Sequence, residues 1–176
     1  MLSLRAATAQ DIDAITAIYA QHVLNGTGSF ELEPPDAAEM HKRFDFVTSL
    51  GLPFLVAEFD GAVTGYAYAG PYRPRPAYRY TVETSIYIHP DRMGVGLGTA
   101  LLQRLIADCE ALGLRQMIAV VGDSANNGSL QLHRKFGFNE TGILKDVGFK
   151  FGRWLDVVIL QRSLGDGASK PPILPQ

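Results

Sequence analysis

The chain has 176 residues, of which 47% are hydrophobic and 19% are charged, and its formal net charge at pH 7 is −2. This length fits one domain with its own core, and the weakly acidic balance predicts no nucleic-acid partner. The single cysteine, Cys109, excludes an internal disulfide. No basic N-terminal segment precedes a long apolar one, and no stretch approaches the ~20 apolar residues that span a bilayer, so we expect a cytoplasmic protein without membrane contact.

The first half of the chain predicts one strand, two helices and a hairpin. Apolar residues at spacings of three and four mark each helix, and an Asp-Gly pair marks the hairpin turn. In chain order these elements are a strand at 2–5, a helix from Thr8 to about Asn25, a loop at 27–35, a helix from Asp36 to about Leu50, and strands at 54–59 and 62–69.

The second half alternates strands with helices. The predicted elements are a strand at about 79–89, a helix from 95 or 96 to 113, a strand at 117–121, a helix at 126–136 and strands near 138–149 and 154–161. The apolar run at 117–121 is typical of a strand covered on both faces. The sequence therefore predicts one α/β domain over 1–164, a mixed central sheet with helices on both faces, and a disordered tail at 165–176 that is rich in Gly, Pro and Ser.

Glycines alternate at 94, 96 and 98, between a predicted strand and a predicted helix. Such a segment can turn several backbone N–H groups toward one phosphate at the helix N-terminus, although it can also be a simple tight turn. A P-loop is excluded because Thr99 and Ala100 follow the last glycine instead of Lys and Ser or Thr. The Rossmann pattern is excluded because Thr99 stands where it needs Gly or Ala.

The glycine segment resembles the pyrophosphate loop of the GNAT superfamily of acetyltransferases. Gly96 and Gly98 match that pattern, whereas Met93 stands at its Gln or Arg position. Three further segments, 67–72, 78–85 and 148–157, resemble the phosphinothricin N-acetyltransferase branch, and the likeness extends from Arg5 to Leu164. It implies acetyl transfer from acetyl-CoA to the α-amine of phosphinothricin, methionine sulfoximine or methionine sulfone, which is a detoxification reaction, and it implies a homodimer.

The same resemblance assigns the residues that bind acetyl-CoA. Backbone groups of a strand would contact the pantetheine arm and polarise the thioester carbonyl, and the glycine segment would hold the pyrophosphate. Asn126, with Ser129, would touch the pantetheine, although a plain helix cap explains Asn126 equally well. The cofactor residues expected in this way are Ile86, Tyr87, Ile88, Gly94, Val95, Gly96, Leu97, Gly98, Thr99, Asn126 and Ser129.

Two residues are candidates for proton transfer. Glu83 lies on the strand face opposite Val82 and Ile86, so strand periodicity alone would allow a solvated carboxylate, whereas the resemblance implies a general base with a raised pKa. His133 would act as acid or base where many GNAT members have Tyr, or it is a structural histidine. The other three histidines have no comparable context, and no ligand spacing predicts a metal.

Arginine and tyrosine side chains cluster in the loop 72–78. Guanidinium groups there could bind a carboxylate, phosphinate or sulfone oxygen, although a solvated loop is the plain alternative. By resemblance we expect Arg75 and Tyr78, and less strongly Arg73, to bind the acceptor, with Phe30 as an apolar wall. Two other functions stay open: acetylation of another small amine or a protein N-terminus, and a non-catalytic module that binds acetyl-CoA.

Overall fold

A computed structural model describes residues 2–172 as a seven-stranded mixed sheet with helices on both faces, which confirms the predicted fold class. The strand order is β1-β2-β3-β4-β5-β7-β6, and only β4 and β5 are parallel neighbours. The elements are β1 (Leu2–Ala6), α1 (Ile12–Asn25), α2 (Ala37–Ser49), β2 (Phe54–Phe59), β3 (Ala62–Pro71), β4 (Thr81–Ile88), α3 (Leu97–Ala111), β5 (Gln116–Gly122), α4 (Asn127–Lys135), β6 (Asn139–Lys150) and β7 (Arg153–Ser163).

Two hydrophobic cores lie on opposite faces of the sheet. Because side chains alternate along a strand, Leu55 and Ala57 of β2 join the core under α3, whereas Phe54 and Val56 join the core under α1 and α2. The stripe predicted for α3 is buried at Leu97, Leu101, Leu105 and Cys109. The same spacing of three and four also predicts Leu112 on this stripe, and that prediction is wrong: the helix ends at Ala111, and Leu112 is 54% exposed.

Cys109 packs as a small apolar residue in the α3 core. Its side chain is fully buried, and burial raises the pKa of the thiol to about 12. The sulfur therefore stays protonated at neutral pH and unreactive, in agreement with a packing role.

The β4 and β5 strands separate along their length. Their paired residues run from Thr81 with Gln116 to Thr84 with Ala119, and the rest of β4 is paired only with β3 among the described strands. The expectation that both faces of β5 are covered is wrong at Val120, which is 40% exposed. Val120 lies one residue beyond the last pair and lines the cleft that opens there.

The segment after β7 is described as far as Pro172. Gly167 N donates to Leu164 O at 2.9 Å, and Arg115 lies 3.6 Å from the Asp166 carboxylate. The rest of the segment predicted to be a disordered tail, 173–176, lies outside the described residues. Within 2–172, no helix combines the length and the hydrophobicity that a bilayer crossing requires.

Candidate active site

A cleft of about 940 Å³ opens where β4 and β5 separate. Its walls also include the start of α3, one side of α4 and the loop at 28–31. The predicted site residues that line it are Phe30, Glu83, Ile86, Tyr87, Ile88, Gly94, Gly96, Leu97, Gly98, Thr99, Asn126, Ser129 and His133. Val95, Arg73, Arg75 and Tyr78 were also predicted and are not among the lining residues. The structure thus brings together residues that are as far apart as 30 and 133 in the sequence.

The α3 end of the cleft has the geometry of a phosphate cradle. Gly94 and Gly96 have φ angles of 78° and 90°, which residues other than glycine rarely adopt. A Cβ atom added to either glycine would have no heavy atom of a non-adjacent residue within 4 Å. The free space in front of these backbones leaves room for a ligand. Gly96 is also the N-cap of α3, whose first N–H groups have no partner inside the helix. The cradle is made by backbone, so it does not depend on the side chain of Met93.

Asn126 caps α4 and also lines the cleft. Its side-chain oxygen accepts a hydrogen bond from Ser129 N at 3.3 Å, so it caps α4. Asn126 and Ser129 also line the cleft. Capping fixes the start of α4 along one wall of the cleft, and the two roles are compatible.

Glu83 lies where the cleft meets a second, smaller cavity. This cavity has a volume of about 190 Å³ and is lined by Tyr68, Gly70, Pro71, Glu83 and Ser85. Glu83 is half-buried, and the loss of water around its carboxylate raises its pKa, while the positive charge of Arg73 partly offsets the rise. The site therefore contains a carboxylate with a raised proton affinity and space on two sides.

His133 is held as a neutral ring. It is 5% exposed, and burial lowers its pKa. Its Nδ1 lies 2.8 Å from Ser129 O, a carbonyl that can only accept, so Nδ1 carries the hydrogen. Nε2 is therefore an acceptor, and no group of residues 2–172 lies within hydrogen-bonding distance of it. In this state Nε2 has no hydrogen to donate, and the protein encloses it as a buried atom, although the residue lines the cleft.

The Arg and Tyr loop packs on itself. Tyr72 meets Tyr78 edge to face, with ring centroids 5.7 Å apart, and the Arg73 guanidinium lies 5.2 Å from the Tyr72 ring centre. A short 3₁₀ turn at Pro76–Tyr78 follows Arg75 and turns the chain back toward β4. These contacts explain why Arg75 and Tyr78 do not line the cleft, and only Arg73 acts on Glu83 electrostatically.

Sequence reasoning missed the residues that hold the cleft wall at 28–31. Tyr19 OH lies 2.8 Å from Ser29 Oγ and donates to Glu31 at 3.0 Å, and Lys150 Nζ donates to Ser29 O at 2.8 Å. His22 was dismissed, yet its Nε2 lies 2.7 Å from Ile88 O and its ring lines the cleft. Of these residues, only Lys150 lies in a segment that the sequence singles out, namely 148–157, which resembles the phosphinothricin N-acetyltransferase branch. Within 2–172, no group of three or more His, Cys, Asp or Glu could hold a metal ion.

Comparisons with known proteins agree with this geometry. The family described as acetyltransferase (GNAT) domain matches residues 4–159. The phosphinothricin N-acetyltransferase of Alcaligenes faecalis is 55% identical over 97% of this chain and 86% of its own length. The L-methionine sulfoximine/L-methionine sulfone acetyltransferase of Pseudomonas aeruginosa is 42% identical over 96% of this chain and 98% of its own.

A solved structure is also similar along almost the whole chain. It is a GNAT superfamily phosphinothricin acetyltransferase from Sinorhizobium meliloti, in complex with acetyl-CoA. Its TM-score is 0.95 and its sequence identity is 49%, with 98% of this chain and 93% of that chain covered. The similarity includes every element that surrounds the cleft.

The bonding of His133 predicts its behaviour on titration. Because burial lowers the pKa of His133 below its ordinary value of 6.5, the ring should be charged only in more acidic solution. It should be neutral at pH 7 and above. Nitrogen-15 NMR of the imidazole ring should show hydrogen on Nδ1 and none on Nε2 over pH 7–8. A charged ring at pH 7, or hydrogen on Nε2, would contradict this assignment.

Proposed function

Because the chain belongs to the GNAT acetyltransferase family, we propose that it moves an acetyl group from acetyl-CoA to the α-amine of a small amino-acid analogue. The acceptor class that we propose is that of phosphinothricin, methionine sulfoximine and methionine sulfone, the compounds named for the relatives. One observation carries this proposal: a phosphate cradle and a half-buried carboxylate, Glu83, border the same cleft. A non-catalytic module would have no need of that carboxylate.

The cleft suits acetyl-CoA along its length. Backbone N–H groups from Gly94 to Thr99 would bind the pyrophosphate at the start of α3. Where β5 no longer pairs with β4, the backbone of Ile86 to Ile88 is available to the pantetheine arm and to the thioester carbonyl. Asn126 and Ser129 would contact the arm from α4.

We propose that transfer is direct, without an acetylated enzyme. The Glu83 carboxylate takes one proton from the acceptor ammonium, and the freed nitrogen attacks the thioester carbonyl carbon. A C–N bond forms, and the C–S bond breaks with its electron pair on the CoA sulfur. The second proton that the nitrogen loses as it becomes a neutral amide passes to this sulfur, which leaves as the CoA thiol. Of the two roles expected for His133, we propose the structural one, because its ring is bonded through Nδ1 to Ser129 O and its Nε2 is buried.

Residues near the second cavity would select the acceptor. Phe30 would pack against the apolar part of its side chain, and Arg73, whose charge already acts on Glu83, would attract its anionic group. Arg75 and Tyr78 remain candidates at the rim of this region. An anionic, compact acceptor suits this cluster better than a polyamine does.

The proposed function is tested by release of the CoA thiol with a panel of amines. We expect catalytic efficiencies for methionine sulfone, methionine sulfoximine and phosphinothricin at least ~10-fold above those for a polyamine and for a short peptide with a free N-terminus, because only the first group pairs an anion with a compact side chain. Tight acetyl-CoA binding without thiol release from any of these amines would contradict the proposal and support a binding module.

Replacement of Glu83 by Gln should lower kcat by ~10²-fold or more with little change in folding, because a general base contributes that much. Only the ionised carboxylate accepts a proton, and burial raises its pKa, so wild-type kcat/KM should fall on the acidic side at a pH above 4.5. This acidic limb should be absent from the variant. Glu33→Gln, an exposed carboxylate outside the cleft, is the matched control. Near wild-type rates for Glu83→Gln at all pH values would exclude Glu83 as the base.

We also propose that the protein is a homodimer in the cytoplasm. The β6 strand is an edge of the sheet. Two adjacent residues of this strand, Ile143 and Leu144, point to opposite faces and are both exposed. Phe149 and Trp154 stack edge to face beside them, and Trp154 is 62% exposed. An apolar surface of this kind is typical of a contact between chains.

Light scattering should give a mass of about twice the 19.2 kDa of one chain. Trp154→Glu should shift the mass toward one chain, because it would place a charge in the apolar contact. Phe46→Glu, an equally exposed aromatic residue on α2, is the control and should leave the mass unchanged. A wild-type mass of one chain would rule out the dimer.

A further inference from the structure

Lys150 is a buried lysine at the end of β6. It is 4% exposed, although lysine is among the residues least often buried. Its ammonium donates to two backbone carbonyls, Gly26 O at 2.9 Å and Ser29 O at 2.8 Å. Hydrogen bonds from a charged donor are stronger than neutral ones, so this lysine fixes the backbone that it contacts.

Both carbonyls belong to residues 26–31, which we name the Phe30 loop. Its residues from Gly28 to Glu31 line the cleft, so its position decides the shape of that wall. Two further bonds hold it: Thr27 Oγ1 donates to the Asp123 carboxylate at 3.0 Å, and Tyr19 OH lies 2.8 Å from Ser29 Oγ. Among these residues, Lys150 is the one on β6 that binds the Phe30 loop.

The Phe30 ring rests on two glycines. A Cβ atom added to Gly148 would lie 2.3 Å from Phe30 Cε2, and one added to Gly122 would lie 2.7 Å from Phe30 Cε1. Gly148 and Lys150 are two residues apart on β6 and therefore share a face. One strand face thus both leaves room for the ring and binds the backbone that immediately precedes it.

On the basis of the proposed function, we infer that Lys150 is a positioning residue of the acceptor site. It acts through the Phe30 loop, by holding the Phe30 ring where the acceptor side chain packs. An apolar side chain of similar length would leave two buried carbonyls without donors, and the loop would leave its place to reach water. The acetyl-CoA half of the cleft, built from α3 and α4, would be unaffected.

Steady-state kinetics test this role. Lys150→Met should raise the acceptor KM ~10-fold or more, the order expected for loss of charged hydrogen bonds, while the acetyl-CoA KM stays within about 2-fold. Lys145→Met, an exposed lysine on the same strand, should change neither. Lys150→Gln, whose amide can donate to one of the two carbonyls, should fall between wild type and Lys150→Met. Equal rises in both KM values, or a wild-type acceptor KM in Lys150→Met and Lys150→Gln, would overturn the inference.

A second pair of variants displaces the ring without touching Lys150. Gly148→Ala must move Phe30, so it should raise the acceptor KM as Lys150→Met does. Gly142→Ala, on the same strand with nothing within 4 Å of the added Cβ, should behave as wild type. A wild-type acceptor KM for Gly148→Ala would show that the ring position does not matter and would also overturn the inference.

Hydrogen exchange separates this inference from the proposed function, because it needs no acceptor. Amides of residues 27–31 should exchange at least ~10-fold faster in Lys150→Met than in wild type or Lys145→Met. Unchanged exchange in Lys150→Met would overturn the loop-holding role even if the enzyme acetylates the expected amines. Faster exchange in a protein that acetylates none of them would leave the loop-holding role standing and reject the proposed function.

Discussion

Hydrogen bonding between β4 and β5 stops after four residue pairs, and the site depends on that early stop. Had the two strands stayed paired, their backbones would occupy the gap where the cleft now opens. Because they separate, the later part of β4 keeps one edge without a strand partner inside an otherwise continuous sheet. The glycine cradle at the start of α3 and the capped start of α4 then face the same opening.

The stop also explains the state of Glu83. It lies opposite Ile118, one pair before the separation, so its strand is still held in the sheet while its side chain reaches free space. Half-burial raises the pKa of Glu83 without removing access for a ligand.

Local patterns in the sequence were sufficient for the elements and for the glycine segment at the start of α3. Helix periodicity, the cap at Asp36 and the Asp-Gly turn each depend on neighbours in the chain, and the structure has all three. Glycine spacing likewise located the cradle, because positive φ angles are a property of single residues. Glu83 and Asn126 followed from family resemblance, and the structure places both at the cleft.

The remainder depends on contacts that no local pattern contains. The separation of β4 from β5 depends on the register between strands that are distant in the sequence. The apolar run of β5 therefore predicted a strand covered on both faces and did not predict the exposure of Val120. Lys150 meets the Phe30 loop across 121 positions of sequence, and a lysine in an edge strand ordinarily suggests solvent. Arg75 and Tyr78 were expected at the acceptor site by resemblance, and no local pattern contains the edge-to-face contact of Tyr78 with Tyr72 or the short turn that follows Arg75.

The central claim is that acetyl-CoA occupies the gap between β4 and β5. Amide NMR shifts on addition of acetyl-CoA measure this most directly, since each backbone N–H reports its own surroundings. We expect the largest changes at Ile86 to Ile88 and at Gly94 to Thr99, and small ones at Thr81 and Val82, which are paired with β5 and do not line the cleft. Changes concentrated outside the cleft, for example along α2, would contradict it.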